Sequence, residues 1–425
     1  MFDVSLRSVD LLGWVTNILV LAGTVGMFAF LSRPALRTSR FWRATVTPLA
    51  SIIGSGFLVV APLLGYTVGR WAFFAMLGIV ALAYAVGGAV RYNIENVEDI
   101  SDASHTDGIL HVSFKWMERG AKIVLALAYV IAITFYLELL AAFVLRLFDV
   151  TNQVSQKLIA TTLIVFIGTV GFWRGLKRLE TLEKYSVDLK LAIIFGFLIG
   201  LVIVNADAVA EGRWTLAGLT VEWSVETVRK LLGAFLIVQG FETSRYMGNV
   251  YGAGERVATM RYAQMLSAAI YVVFIGLATV LLGSVRTMSE TGVIMLSAQV
   301  AFVVPFLLVI GAAMAQFSAA VADTLASGGL VEAATYGKVS HRDVYLAVMA
   351  VAIVFLWTSH IFAIIAYASR AFATYYAIQC AMAAMHSAVS AAGPERIRRV
   401  AWFAFLSLGM SLTAIFGIPA ESVGT

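Results

Sequence analysis

The chain has 425 residues, 60% of them hydrophobic and only 13% charged, with a mean hydropathy of +0.89. Soluble domains carry about a quarter charged residues, so this composition excludes a soluble protein and reads as an all-α integral membrane protein. The net charge of +5 sits in connections between apolar runs, and no basic stretch interleaved with aromatics forms a soluble module, which excludes a nucleic-acid binder.

A spanning helix needs about 20 apolar residues. In chain order such runs fall at 11–32, 44–66, 72–91, 122–147, 156–173 and 187–204, then at 230–249, 262–283, 297–325, 343–359, 361–386 and 399–417, about 12 in all. The first run is long and lacks a small-residue cleavage site, so it reads as a retained span. Only a short turn at Thr358–His360 separates the tenth and eleventh runs. With Arg33, Arg37, Arg40 and Arg43 placed in the cytoplasm, alternate connections put 20 of the 30 basic residues on that face. Eight fall on the other face, Arg7 and Arg286 among them, and Lys190 and Arg370 remain inside helices. This bias predicts a multi-pass cell-membrane protein, in a bacterium the inner membrane, with both termini outside the cytoplasm. The stretch 97–119, polar and then amphipathic, reads as a cytoplasmic loop with a short helix on the membrane surface.

The second run carries Gly54-Ser55-Gly56 near its middle. Glycine weakens a helix by about 1 kcal/mol relative to alanine, and in lipid every backbone group that a break frees needs a partner. Two readings stand: small-residue packing against another helix, or a discontinuous helix that opens its backbone to a ligand. Five runs later the chain repeats the pattern, with Gln239-Gly240-Phe241-Glu242 inside the seventh run. Breaks five spans apart place each at the start of a five-helix unit, and an odd number of spans gives the units opposite topology. That layout puts a substrate site near the membrane midplane between the breaks. The expected division is an extra helix and basic loop at 1–43, a first repeat at 44–226, an inverted second repeat at 227–388, and a last helix and tail at 389–425.

Three stretches carry a specific resemblance. ASIIGSGFLVVAPLLGYTVGRWAFFAMLGIVALAYAVGG resembles the first two core helices of the amino acid–polyamine–organocation (APC) superfamily, with its glycine-serine-glycine break and downstream proline. LIVQGFETSRYMG followed by RYAQMLSAAIYVVFIGLATVLLG is similar to that family's sixth and seventh core helices. RGLKRLETLEKYSVDLKLAIIFGFLIGL is similar to its passage from the fourth to the fifth, where a lysine enters the helix. The likeness in layout covers roughly residues 44–417. It implies a LeuT-like fold of 5+5 inverted repeats with two discontinuous helices. It also implies a substrate site at Ile53, Gly54, Ser55 and Gly56 facing Gln239, Gly240, Phe241 and Glu242. Lys190 would occupy the place of a coupling sodium and cycle a proton, with Glu242 second.

The residues leave alternatives at several positions. Glu242 either serves the site or pairs with Arg245 three residues along one helix face. Lys190 is an intramembrane cation, a functional candidate by default, or it snorkels to the surface. Ser318 and Asp323 of the ninth run are candidates for ion coupling, with Asp323 also a partner for Lys190 or Arg370. Glu138 reads as neighbour-satisfied or as an outer-vestibule residue, and Tyr136 as an aromatic lid. The lone Cys380 excludes an intrachain disulfide and any multi-cysteine metal site. His105 and His111, six apart, do not share a helical face, and no phosphate loop of the GxxxxGK[ST] kind is present. The expectation is a permease with no cofactor and no enzymatic activity, moving an amino acid or similar small organic solute, coupled to protons or exchange. The alternatives are a sodium symporter for another solute and a membrane sensor that keeps the fold without flux.

Overall fold

The structure, a computed structural model, describes residues 11–98, 109–215, 223–284 and 289–418. The polar stretch 99–108 with His105, and the outer-face cations Arg7 and Arg286, lie outside them. Among the described residues every regular element is helical. In chain order these are α1 (Leu11–Leu31), α2 (Pro34–Thr38), α3 (Arg40–Ile52), α4 (Ser55–Val68), α5 (Ala72–Asn96), α6 (Ile109–Arg146), α7 (Gln153–Arg174) and α8 (Lys177–Ala210). There follow α9 (Val225–Gly233), α10 (Ala253–Ala278), α11 (Gly292–Ala298), α12 (Val304–Ala334), α13 (His341–Thr358), α14 (Ile361–Ser390) and α15 (Gly393–Phe416).

Short polar side chains set several of the starts by accepting an otherwise orphaned N–H. Asn152 accepts from Val154 at 2.8 Å to cap α7, Ser340 from Arg342 at 3.3 Å to cap α13, and the His360 ring from Ala363 at 3.3 Å to cap α14. The chain between α13 and α14 is therefore only Ser359 and His360, where the sequence places its short turn.

Ten helices among the described residues are long and apolar enough to cross a membrane. The difference from 12 runs lies at the breaks. Run 44–66 divides at Ile53–Gly54 into α3 and α4, and the turn Gly69–Trp71 parts α4 from α5. The number ten joins Ser55–Asn96 into one apolar length, although that turn, at a Gly69 with φ +52°, divides it. Run 230–249 holds no spanning helix. It contains the end of α9, then two tight 3₁₀ turns at Phe235–Val238 and Phe241–Met247.

One expectation is corrected. Residues 109–119 are not a separate helix lying on the surface; they are the first turns of α6, which runs unbroken for 38 residues. At 1.5 Å per residue that is roughly 57 Å, well beyond an apolar core of about 30 Å. His111, Phe114 and Glu118 are buried in this extension, which packs inward instead of onto lipid.

Helix α6 is the most enclosed of the spans, packed along α12 and α14. Around it, α8 packs on α1 and α12, α10 on α3 and α5, α13 on α7, and α15 on α14. The peripheral α1 and α15 expose Ile18, Val25, Phe405 and Leu408, apolar side chains for which lipid is the matching solvent.

Candidate functional site

The two breaks meet in the interior, backbone against backbone. Gly240 holds φ +119°, a conformation that side-chain-bearing residues rarely adopt. A Cβ there would stand 2.6 Å from the carbonyl carbon of Ser51, and one on Gly56 would stand 2.7 Å from the Cα of Ile237. Each break therefore has a glycine whose missing side chain admits the other break. Gly56 serves packing, while Gly54, two residues earlier, lies on the wall of a cavity.

That cavity has a volume of about 560 Å³. The first break contributes Ala50, Ser51 and Gly54, and the second contributes Thr243, Arg245 and Tyr246. Tyr129 and Tyr136 of α6, Lys190 of α8, and Ser318 and Asp323 of α12 add to its polar lining. It extends past a stripe of small α12 residues, Ala319, Ala322, Ala326 and Gly329, to Glu98, Glu118 and Lys122.

Lys190 turns toward the break. Its Nζ donates to the Ala50 carbonyl at 2.8 Å. The helical partner of that carbonyl, the amide four residues on, belongs to Gly54 and lies beyond the end of α3. The ammonium thus replaces a hydrogen bond that the break removes, a role that snorkelling to the surface would not allow.

Glu242 is fully buried, and three donors hold its carboxylate. Tyr376 donates to Oε2 at 2.5 Å, the Gly240 N–H to the same oxygen at 2.9 Å, and Tyr129 to Oε1 at 3.3 Å. The Phe241 ring stacks on Tyr376 at 4.8 Å between centroids. Tyr129 lines the cavity, so it stands between Glu242 and the open space. The pairing of Glu242 with Arg245 does not form. Arg245, also buried, instead donates to Glu118 of α6 at 2.8 Å and to Gln379 of α14.

A family model described as an APC superfamily transporter matches residues 34–417. The chain belongs to this family of APC superfamily transporters. An uncharacterized protein of Aquifex aeolicus (strain VF5) is 43% identical over 371 residues, covering 87% of this chain and 90% of the relative. The crystal structure of a manganese transporter variant from Eremococcus coleocola matches with a TM-score of 0.52 at 13% identity, over 91% of this chain and 90% of that one. At that identity the likeness is one of fold. The protein is accordingly a multi-pass membrane protein with the fold of a transporter.

In this APC superfamily member, Gly54, Lys190, Ser318 and Asp323 share the cavity wall, whereas Ile53, Ser55, Gly56, Gln239, Gly240, Phe241 and Glu242 are buried behind it. The side chain of Gln239 is buried, and its Oε1 has no partner among the described residues. Ser318 donates to Ser186 at 3.1 Å. Arg370 is no partner of Asp323: its guanidinium donates to the carbonyls of Ala414 and Ile415, each at 2.7 Å, and ties α14 to α15. Glu138 is buried away from this cavity; its Oε2 has no hydrogen-bond partner among the described residues, and Lys157 supplies an opposite charge near it. The described residues contain no group of three or more His, Cys, Asp or Glu disposed to hold a metal.

Sequence reasoning missed Tyr129, Tyr376, Glu118 and Gln379. One signal was available for the tyrosines, since a phenol inside an apolar span needs a polar partner that only another part of the protein can supply.

Proposed function

We propose that this protein is a secondary active transporter that moves an amino acid or similar small organic solute by alternating access. In this reading residues 44–226 and 227–388 are inverted repeats with a LeuT-like 5+5 arrangement, 1–43 and 389–425 flank them, and the two breaks frame the substrate site. The observation that carries it is the cavity itself: a volume of about 560 Å³, large enough for a small solute, reaches Gly54 at the break and Lys190 beside it. The cavity extends toward Glu118, Lys122 and Arg245, on the face that the basic residues assign to the cytoplasm. The conformation is then the inward-open one.

The free backbone donors at the start of α4, from Ser55 and Gly56, suit a carboxylate once the breaks rearrange around it. Lys190 and Glu242 divide the coupling. Lys190 holds the Ala50 carbonyl most strongly when charged and loosens its hold on losing its proton, which links protonation to the geometry of the first break. Glu242, sealed behind Tyr129 and Tyr376, acts as a proton carrier; its oxygens are already taken by three donors, so a substrate amine is not its partner. Ser318 and Asp323 on the same wall support a second reading, in which sodium is the coupling ion.

The test is uptake of a labelled amino-acid mixture into proteoliposomes, with a proton gradient or a sodium gradient imposed separately. The proposal expects accumulation driven by protons alone. Accumulation only with sodium transfers the coupling role to Ser318 and Asp323. Reproducible ligand binding with no flux under either gradient, and no exchange from loaded vesicles, would replace the transporter with a sensor.

A further inference from the structure

Each break strands carbonyl groups in an interior that has no lipid partner to offer them. The Ile52 carbonyl would bond in a continuous helix to the amide of Gly56, and the Ile237 carbonyl to that of Phe241; both partners lie on the far side of their breaks. A single side chain serves both. The hydroxyl of Tyr271, on α10, lies 3.0 Å from the Ile52 oxygen and 2.8 Å from the Ile237 oxygen. The residue is fully buried, and its ring is held against Phe57 of α4 with centroids 5.9 Å apart. Lys190 holds another carbonyl of the first break, that of Ala50, two residues before Ile52. Nothing in the composition of α10 marks this tyrosine out; only the fold brings it to both breaks.

We propose that Tyr271 is a positioning residue that couples the two breaks through one shared proton donor. The phenol carries one hydrogen, so the two carbonyls share or alternate it, and movement of either break changes what the other receives. Gly56 lies against Ile237 and Gly240 against Ser51 at the same crossing, so the segments are in contact and respond to the same donor. The inference rests on the breaks being the moving parts of the proposed transport cycle, but its test needs no substrate.

The experiment is hydrogen–deuterium exchange on the full chain in lipid nanodiscs, comparing wild type with Tyr271→Phe. The substitution removes one oxygen and leaves the ring packing in place. Tyr345→Phe, at another buried tyrosine on α13, serves as control. We expect amides at 50–57 and at 235–243 to exchange about tenfold faster in Tyr271→Phe, both together, as a buried acceptor left without its donor requires. Exchange in α7 and α13 stays unchanged, and the control leaves both break segments as in wild type. A change in only one segment, in neither, or throughout the bundle would overturn the coupling role. If Tyr271→Phe does not elute as a single species, wild type decides the matter: the two segments must open at one common rate, and rates that differ tenfold would overturn the proposal. Failure to find a transported solute bears on the function alone and leaves this test intact.

Discussion

Gly56 and Tyr376 show how closely single atoms are specified around the breaks. A methyl on Gly56 meets the backbone of Ile237, which cannot rotate aside as a flexible side chain would. Gly56→Ala is therefore expected to destabilise the protein by about 1–3 kcal/mol, the usual range for overpacking, and thermal unfolding of the purified protein measures it. At Gly54 the same methyl would stand 2.9 Å from the Ser51 carbonyl oxygen, beside the cavity, a looser fit than at Gly56. An equal loss at both positions would contradict the division of roles between them. Tyr376→Phe removes the shortest of the three bonds to Glu242 and leaves a fully buried carboxylate with two. A loss of about 1–3 kcal/mol is expected, and Tyr376→Phe combined with Glu242→Gln should lose less than the sum of the single changes. At this scale the sequence exposed the glycines, Lys190 and Glu242, because each violates the composition of an apolar span. It exposed Tyr129, Tyr271 and Tyr376 only as phenols that need a polar partner inside an apolar span, and their partners, distant in sequence, were not legible.

The second break is an element built from interactions that the helix cannot supply. From Phe241 to Met247 the chain is a tight 3₁₀ turn, and its hold on the bundle comes from buried polar side chains. Arg245 joins it to α6 through Glu118 and to α14 through Gln379. Arg256 of α10 donates to the Arg245 carbonyl at 2.7 Å and makes a forked pair with Glu98 at 3.1 and 2.7 Å. Removing one partner of a buried pair leaves the other uncompensated, so Arg245→Met should cost about 3–5 kcal/mol. The double variant Arg245→Met with Glu118→Gln should recover a substantial part of that loss in the same unfolding measurement. The existence of a break here was legible, because Gln239-Gly240-Phe241-Glu242 interrupts an apolar run. The direction of Arg245 was not. Residues three apart share a face on a 3₁₀ turn as on an α-helix, so spacing alone could not decide the pairing. The donors Tyr129, Tyr376 and the Gly240 N–H hold Glu242, while Glu118 and Gln379 take Arg245. The extension of α6 was misjudged for a related reason: an amphipathic pattern shows which face is apolar but not whether that face meets lipid or protein.

For the molecule as a whole, the layout of apolar runs carried most of what was legible, and the match over residues 34–417 places the chain in its family. The cavity was not legible. Its α12 wall includes Ala319, Ala322, Ala326 and Gly329, small residues that the sequence offers equally for helix packing or for empty space. The account assigns that space to the moving solute, and Ala326 lies within it. The most direct measurement is solute uptake by an Ala326→Cys variant in a Cys380→Ala background, before and after complete labelling with a bulky maleimide. A cysteine at Leu408, on the outward face of α15, is the control. The account predicts that labelling position 326 abolishes uptake and labelling position 408 leaves it intact. Full uptake with position 326 completely labelled would show that the solute does not pass through this cavity, and would contradict the account.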